Sequence, residues 1–143
     1  MGDLAVGKTC LFIRIALNKF PQEYIPTVLD NYVMPITWFG KKIEISLWDM
    51  REPDDRIQMQ RIVYATASVF ILSFSLANRT SYDSVSTKWD PKKRRFNPDA
   101  PVILVGTKLD LREGHTLGEC IENAITTKEG ISLAKRIGAH SYV

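Results

Sequence analysis

Apolar residues recur along this chain in patterns that change from one stretch to the next. Leu11, Phe12, Ile15 and Ala16 fall on one face at helical spacing before Asn18 and Pro21 stop the segment. Residues 20–31 then carry two prolines and no apolar period, which predicts an extended loop. Two runs follow, 32–38 and 42–48, separated by Phe39-Gly40-Lys41. Ile43, Ile45 and Leu47 alternate with Lys42, Glu44 and Ser46, the mark of an antiparallel hairpin. Pro35 removes a ladder donor and suits an edge strand.

Residues 49–55 read as a polar loop and 56–65 as a short helix. The runs SVFILSFS at 68–75 and PVILVG at 101–106 are continuous apolar stretches of strand length, the pattern of strands buried on both faces. A helix is predicted over 81–96, with Lys92 to Arg95 as its solvated basic end. Another is predicted from about 127 to 137, and the last residues open a further strand. Buried strands alternating with helices predict one α/β domain over 1–143, with a mostly parallel sheet flanked by helices.

The sharpest chemistry lies at the start of the chain. Gly2-Asp3-Leu4-Ala5-Val6-Gly7-Lys8-Thr9 reads G-x-x-x-x-G-K-T, a phosphate-binding loop, with Cys10 following on the helix. Backbone N–H groups of such a loop converge on one concavity, and the helix N-terminus adds its partial positive charge. Lys8 is placed to neutralise β and γ phosphates, and Thr9 to give Mg²⁺ a hydroxyl ligand. A hydrophobic strand is expected just before such a loop, but only Met1 stands there.

Composition narrows the picture. A chain of 143 residues, 45% apolar and 24% charged, has room for one packed core. Its formal charge of +3 is far from a nucleic-acid footprint. Cys10 and Cys120 make no disulfide framework, so a reducing cytoplasmic compartment is the expectation. No apolar run reaches membrane-spanning length, and the last residues carry no lipidation motif, so no direct membrane anchor is expected in this chain. Cys10 reads either as an inert thiol or as a redox-sensitive one near a helix N-terminus. His115 and His140 have no partner at ligand spacing, and Trp48 and Trp89 read as core or partner surface.

Taken together, the segments GKTCL, NKFPQEYIPTVLDNY, SLWD, KW, VGTKLDLRE and AKRIGA resemble Ras-type small GTPases of the Rho branch, in detail Rac and the plant Rac-like proteins. The resemblance implies the P-loop G-domain fold, GTP/GDP and Mg²⁺ as cofactors, and a place in actin and polarity signalling. It implies that residues 2–10 wrap the phosphates and that Phe20 packs against the base. Thr107 would support the base loop, Lys108 lie along the base, and Asp110 accept from guanine N–H groups. Thr27, with Thr9, would complete the Mg²⁺ shell, and Asp49 would hold the ion through water. Val28, Leu29, Asp30, Asn31 and Tyr32 would form an effector surface. Effectors and exchange factors would engage the two switch loops, and a longer form with a lipidated tail would sit peripherally on a membrane.

Departures from the family pattern fall on the hydrolytic machinery, so that no catalytic residue is intact. Where the family reads T-A-G-Q-E, this chain has Met50-Arg51-Glu52-Pro53-Asp54. Pro53 stands at the water-orienting glutamine, Glu52 at a glycine facing the γ phosphate, and Leu4 at a phosphate-loop glycine that makes room for an arginine finger. Leucine at position 29 replaces an aromatic effector contact. Impaired hydrolysis is the expectation, with the switch biased to its GTP form. A nucleotide-free interaction module is the other reading. The first central strand, the last strand and the final helix are missing from the pattern, which is expected of a fragment, a truncated gene model or an alternative product.

Overall fold

A computed structural model describes residues 1–21, 31–50, 57–114 and 123–143. Helix α1 (Lys8–Leu17) closes on Asn18 in the left-handed conformation. The hairpin β1 (Asn31–Trp38) and β2 (Lys41–Trp48) turns through Phe39 and Gly40, both at positive φ, the two-residue geometry that matches strand twist. After it come α2 (Ile57–Thr66), β3 (Phe70–Ser75), α3 (Arg79–Ser84), a π-helical turn (Val85–Trp89) and α4 (Asp90–Phe96). The chain ends with β4 (Val102–Thr107), the single-turn α5 (Leu109–Arg112), α6 (Thr127–Ile137) and β5 (Ser141–Tyr142).

Among the described residues the strands form two sheets: the antiparallel β1–β2 pair, and a parallel sheet ordered β3–β4–β5. The one mostly parallel sheet read from the sequence is thus divided, because β2 and β3 do not pair. Met1 lies beside β3 as a single-residue parallel neighbour. Its amino group donates to Ile71 O, and its carbonyl accepts from Ser73 N at 2.8 Å.

The core gathers around β3 and β4. Leu72, Phe74 and Leu104 are fully buried, and Tyr64, Tyr82, Val85, Trp89, Ile125 and Leu133 close over them. Thr126 starts α6 with a capping box, its hydroxyl and the Glu129 carboxylate satisfying each other's backbone N–H groups. Tyr142 stacks on Phe74 with centroids 6.3 Å apart. It lies over Gly130, where an added Cβ would come within 2.2 Å of the ring.

Three expectations need correction. The buried face of α1 is Phe12 and Ile13, whereas Ile15 is exposed, because the helix is rotated from the face read off residues 11, 12, 15 and 16. The helix over 81–96 begins at Arg79 and contains the π turn. Pro91 has no N–H for Thr87 O and its ring would crowd that carbonyl, and Asp90 N–H reaches back five residues to Val85 O. The basic end is solvated only in part, with Arg94 and Arg95 exposed. Lys93 is buried with Nζ donating to Pro98 O at 2.8 Å, and the Arg94 guanidinium bonds Asp90 at 2.9 Å and Ile137 O at 2.9 Å.

Candidate nucleotide site

The phosphate loop is held from below at both ends. Gly2 is buried with φ at +154°, and a Cβ there would sit 2.2 Å from Ser73 O, so the main chain touches β3 where any side chain would block it. Val6 is 1% exposed, and its carbonyl is bonded by the Thr107 hydroxyl, which also lies 2.9 Å from Phe74 O. Between these anchors Leu4 is 82% exposed and Ala5 takes the left-handed conformation, φ 60°. Gly7, with φ 96°, starts α1 without a side-chain cap. The loop thus leads into the positive end of the helix, where an anion is favoured.

Lys8 reaches back across the loop, donating to Gly2 O at 2.9 Å and Asp3 O at 2.7 Å. Desolvation pushes its pKa down. The Asp49 and Asp3 carboxylates oppose that shift, and Lys88 adds to it. Thr9 Oγ1 donates to Asp49 Oδ2 at 2.6 Å. Asp49 is buried immediately after β2, so the hairpin delivers a carboxylate to the start of α1. A hydroxyl and a carboxylate side by side form a hard-oxygen pair suited to Mg²⁺, and the Gly2 cradle with Lys8 suits a phosphate chain. The residues present therefore fit magnesium and a nucleoside polyphosphate.

Strand β4 ends at Thr107 against the phosphate loop, and Lys108 follows in the left-handed conformation. Lys108 and Asp110 are exposed, the latter on α5, and Phe20 is 69% exposed. Cys10 is a half-buried free thiol on α1. Asn31 is exposed at the start of β1 opposite Trp48, with Tyr32 half-buried beside it opposite Leu47. Thr27, Val28, Leu29, Asp30, Arg51, Glu52, Pro53, His115 and Cys120 lie outside the described residues.

Spacing along the chain missed one contact. Trp89 Nε1 donates to Asp3 Oδ1 at 2.8 Å across 86 residues of sequence. The only hint was a tryptophan in a helix otherwise rich in charge.

A glycine-bounded loop closing on a helix start, with lysine and threonine next in line and a carboxylate from a neighbouring strand end, defines a phosphate-loop nucleotide-binding domain. The Ras family model matches residues 1–143. The Rho-related protein racC of Entamoeba histolytica is 42% identical over 147 aligned positions, covering 100% of this chain and 76% of that protein. The chain belongs to the Ras family of small GTPases, on its Rho/Rac-like side.

Proposed function

We propose that this chain binds guanine nucleotide with Mg²⁺ through the loop 2–10, Phe20, Thr107, Lys108 and Asp110, and that it hydrolyses GTP slowly. The observation that carries the proposal is the assembled loop, with Lys8 folded over it and Thr9 paired to Asp49. In this reading the Lys8 ammonium exchanges its two carbonyl partners for phosphate oxygens. Thr9 and Thr27 would hold the metal directly and Asp49 through water, and the ion would offset phosphate charge when bound. Asp110 selects guanine by accepting from its N–H groups.

Slow hydrolysis follows from the residues that stand where the family places its machinery. Proline at 53 has neither the amide side chain nor the N–H to orient a water. In the family pattern Glu52 stands at a glycine that faces the γ phosphate, so a carboxylate replaces a hydrogen there, and Leu4 is exposed on the loop. An arginine finger is worth roughly 10³ to 10⁵ in rate, so losing both water orientation and access leaves the GTP form long-lived. Residues 28–32 then present a partner surface in that state.

The test is to purify the chain, denature it and identify released nucleotide by ion-exchange chromatography, then follow a single turnover of added GTP. Bound GTP and a slow turnover are expected. Bound GDP with a turnover at an ordinary family rate would remove the slow-hydrolysis part. An empty protein that gains no thermal stability from GTP and Mg²⁺ would remove nucleotide binding, leaving an interaction module.

A further inference from the structure

The π-helical turn, a buried tryptophan and the phosphate loop meet at one point, and from their meeting we infer that Trp89 is a positioning residue for the loop, acting through its indole N–H on the Asp3 carboxylate. The inference rests on the nucleotide-binding reading for its consequence, and on geometry for its existence.

Gly2 and Val6 fix the two ends of the loop, while Leu4 and Ala5 between them stand exposed. Asp3 supplies a tether in that gap: its Oδ1 accepts from Trp89 Nε1 at 2.8 Å. The donor is itself held. Trp89 is 3% exposed and closes the π turn, with Lys88 Nζ 4.4 Å and Lys92 Nζ 5.7 Å from its ring centroid. Pro91 accounts for that turn, so the wider register that aims the indole at the loop is written into the helix.

A buried indole N–H needs an acceptor, and a carboxylate beside a phosphate site needs a donor that fixes where its charge lies. Each answers the other through a charge-assisted bond. A loop already held in place does not have to be ordered by the nucleotide, and dissociation is slower for it.

Amide hydrogen exchange of residues 3–8 in the full chain, read against Leu72 and Leu104 in the same sample, separates positioning from simple packing. Trp89→Phe keeps most of the ring and loses the donor. It is expected to raise loop exchange relative to the core by about tenfold, the loss of one such bond, and to speed GDP release by a similar factor. Asp3→Ala is expected to do the same, the double variant no more than either, and Asp3→Asn, which keeps Oδ1, far less. Unchanged loop-to-core ratios, or effects of the two single variants that add, would overturn the inference. If Trp89→Phe does not fold, Asp3→Ala against Asp3→Asn decides, since Asp3 lies on the loop. The exchange comparison holds in nucleotide-free protein, so a failure to bind nucleotide counts against the proposed function alone.

Discussion

At the scale of single residues, the site depends on atoms that are absent as much as on those present. Gly2 is the clearest case, because the carbonyl of Ser73 occupies the space of a Cβ and belongs to a strand that cannot retreat without moving the core. Gly2→Ala is therefore expected to lift the loop off β3 and to cost about 1–3 kcal/mol, in the range of an overpacked interior. A thermal melt checks the stability, and the Met1 to Ser73 hydrogen bond should be lost with it. A melting temperature equal to that of the parent chain would show that the loop does not rest on the strand. Asp49 is the complementary case, a buried carboxylate kept beside Thr9 and opposite the Lys8 charge. The glycine and lysine of this loop were legible as a motif because the spacing itself carries the chemistry. The seat of Gly2 on Ser73 was not, since nothing in a linear pattern says which backbone passes over which.

Elements show how local signals and tertiary contacts divide the work. Helix α6 falls where its periodicity placed it, at about 127 to 137, and the structure adds what starts it: Thr126 and Glu129 make a reciprocal cap whose partners are three positions apart. Glu129 also reaches out of its helix to Arg79 at 2.6 Å, at the start of α3. The Arg79 guanidinium, followed by the Thr126 N–H and hydroxyl, lowers the Glu129 pKa from 4.5 to about 2. A carboxylate with a depressed folded pKa contributes stability that is full above its unfolded pKa and lost as pH falls through the folded one. Glu129→Gln keeps the capping geometry and removes the charge. The variant is expected to be less stable at neutral pH by roughly 0.2–1 kcal/mol, the scale of a half-exposed pair, with the difference closing between pH 4.5 and about 2. Urea titrations of both proteins at pH 7 and pH 3 test this. An equal difference at both pH values would remove the charge from the account. The segment 81–96 was readable only as one helix. Its π turn depends on how Pro91 is accommodated between two packed ends, and the burial of Lys93 depends on Pro98 O lying within reach, neither of which has a period in the sequence.

Over the whole molecule, burial is uneven in a way that bears on function. Strand β3 is buried at five of six positions, whereas the hairpin β1–β2 has no buried residue. The alternation that predicted the hairpin, and the unbroken apolar runs that predicted β3 and β4, already carried this contrast. What the runs did not reveal is that the two sheets fail to join among the described residues, since a missing pairing leaves no mark on either strand's own pattern. A two-stranded ribbon is marginal by itself, so the hairpin depends on whatever ties it to the rest. Asp49, one residue beyond β2, is such a tie through Thr9. Hydrogen exchange should therefore find β1 and β2 opening locally with little protection, while β3 and β4 approach the global stability of roughly 5–15 kcal/mol. Nucleotide with Mg²⁺, holding Thr9 and Asp49 at one ion, should raise protection in the hairpin as well as in the loop. At 100 times its dissociation constant the ligand stabilises the bound form by about 2.7 kcal/mol. Part of that must appear in β2, because the strand cannot peel away while its end is held. Equal protection of both sheets without ligand would show the hairpin to be fastened independently of the site. Protection that rises in the loop but not in β2 would show that Asp49 takes no part in holding the metal.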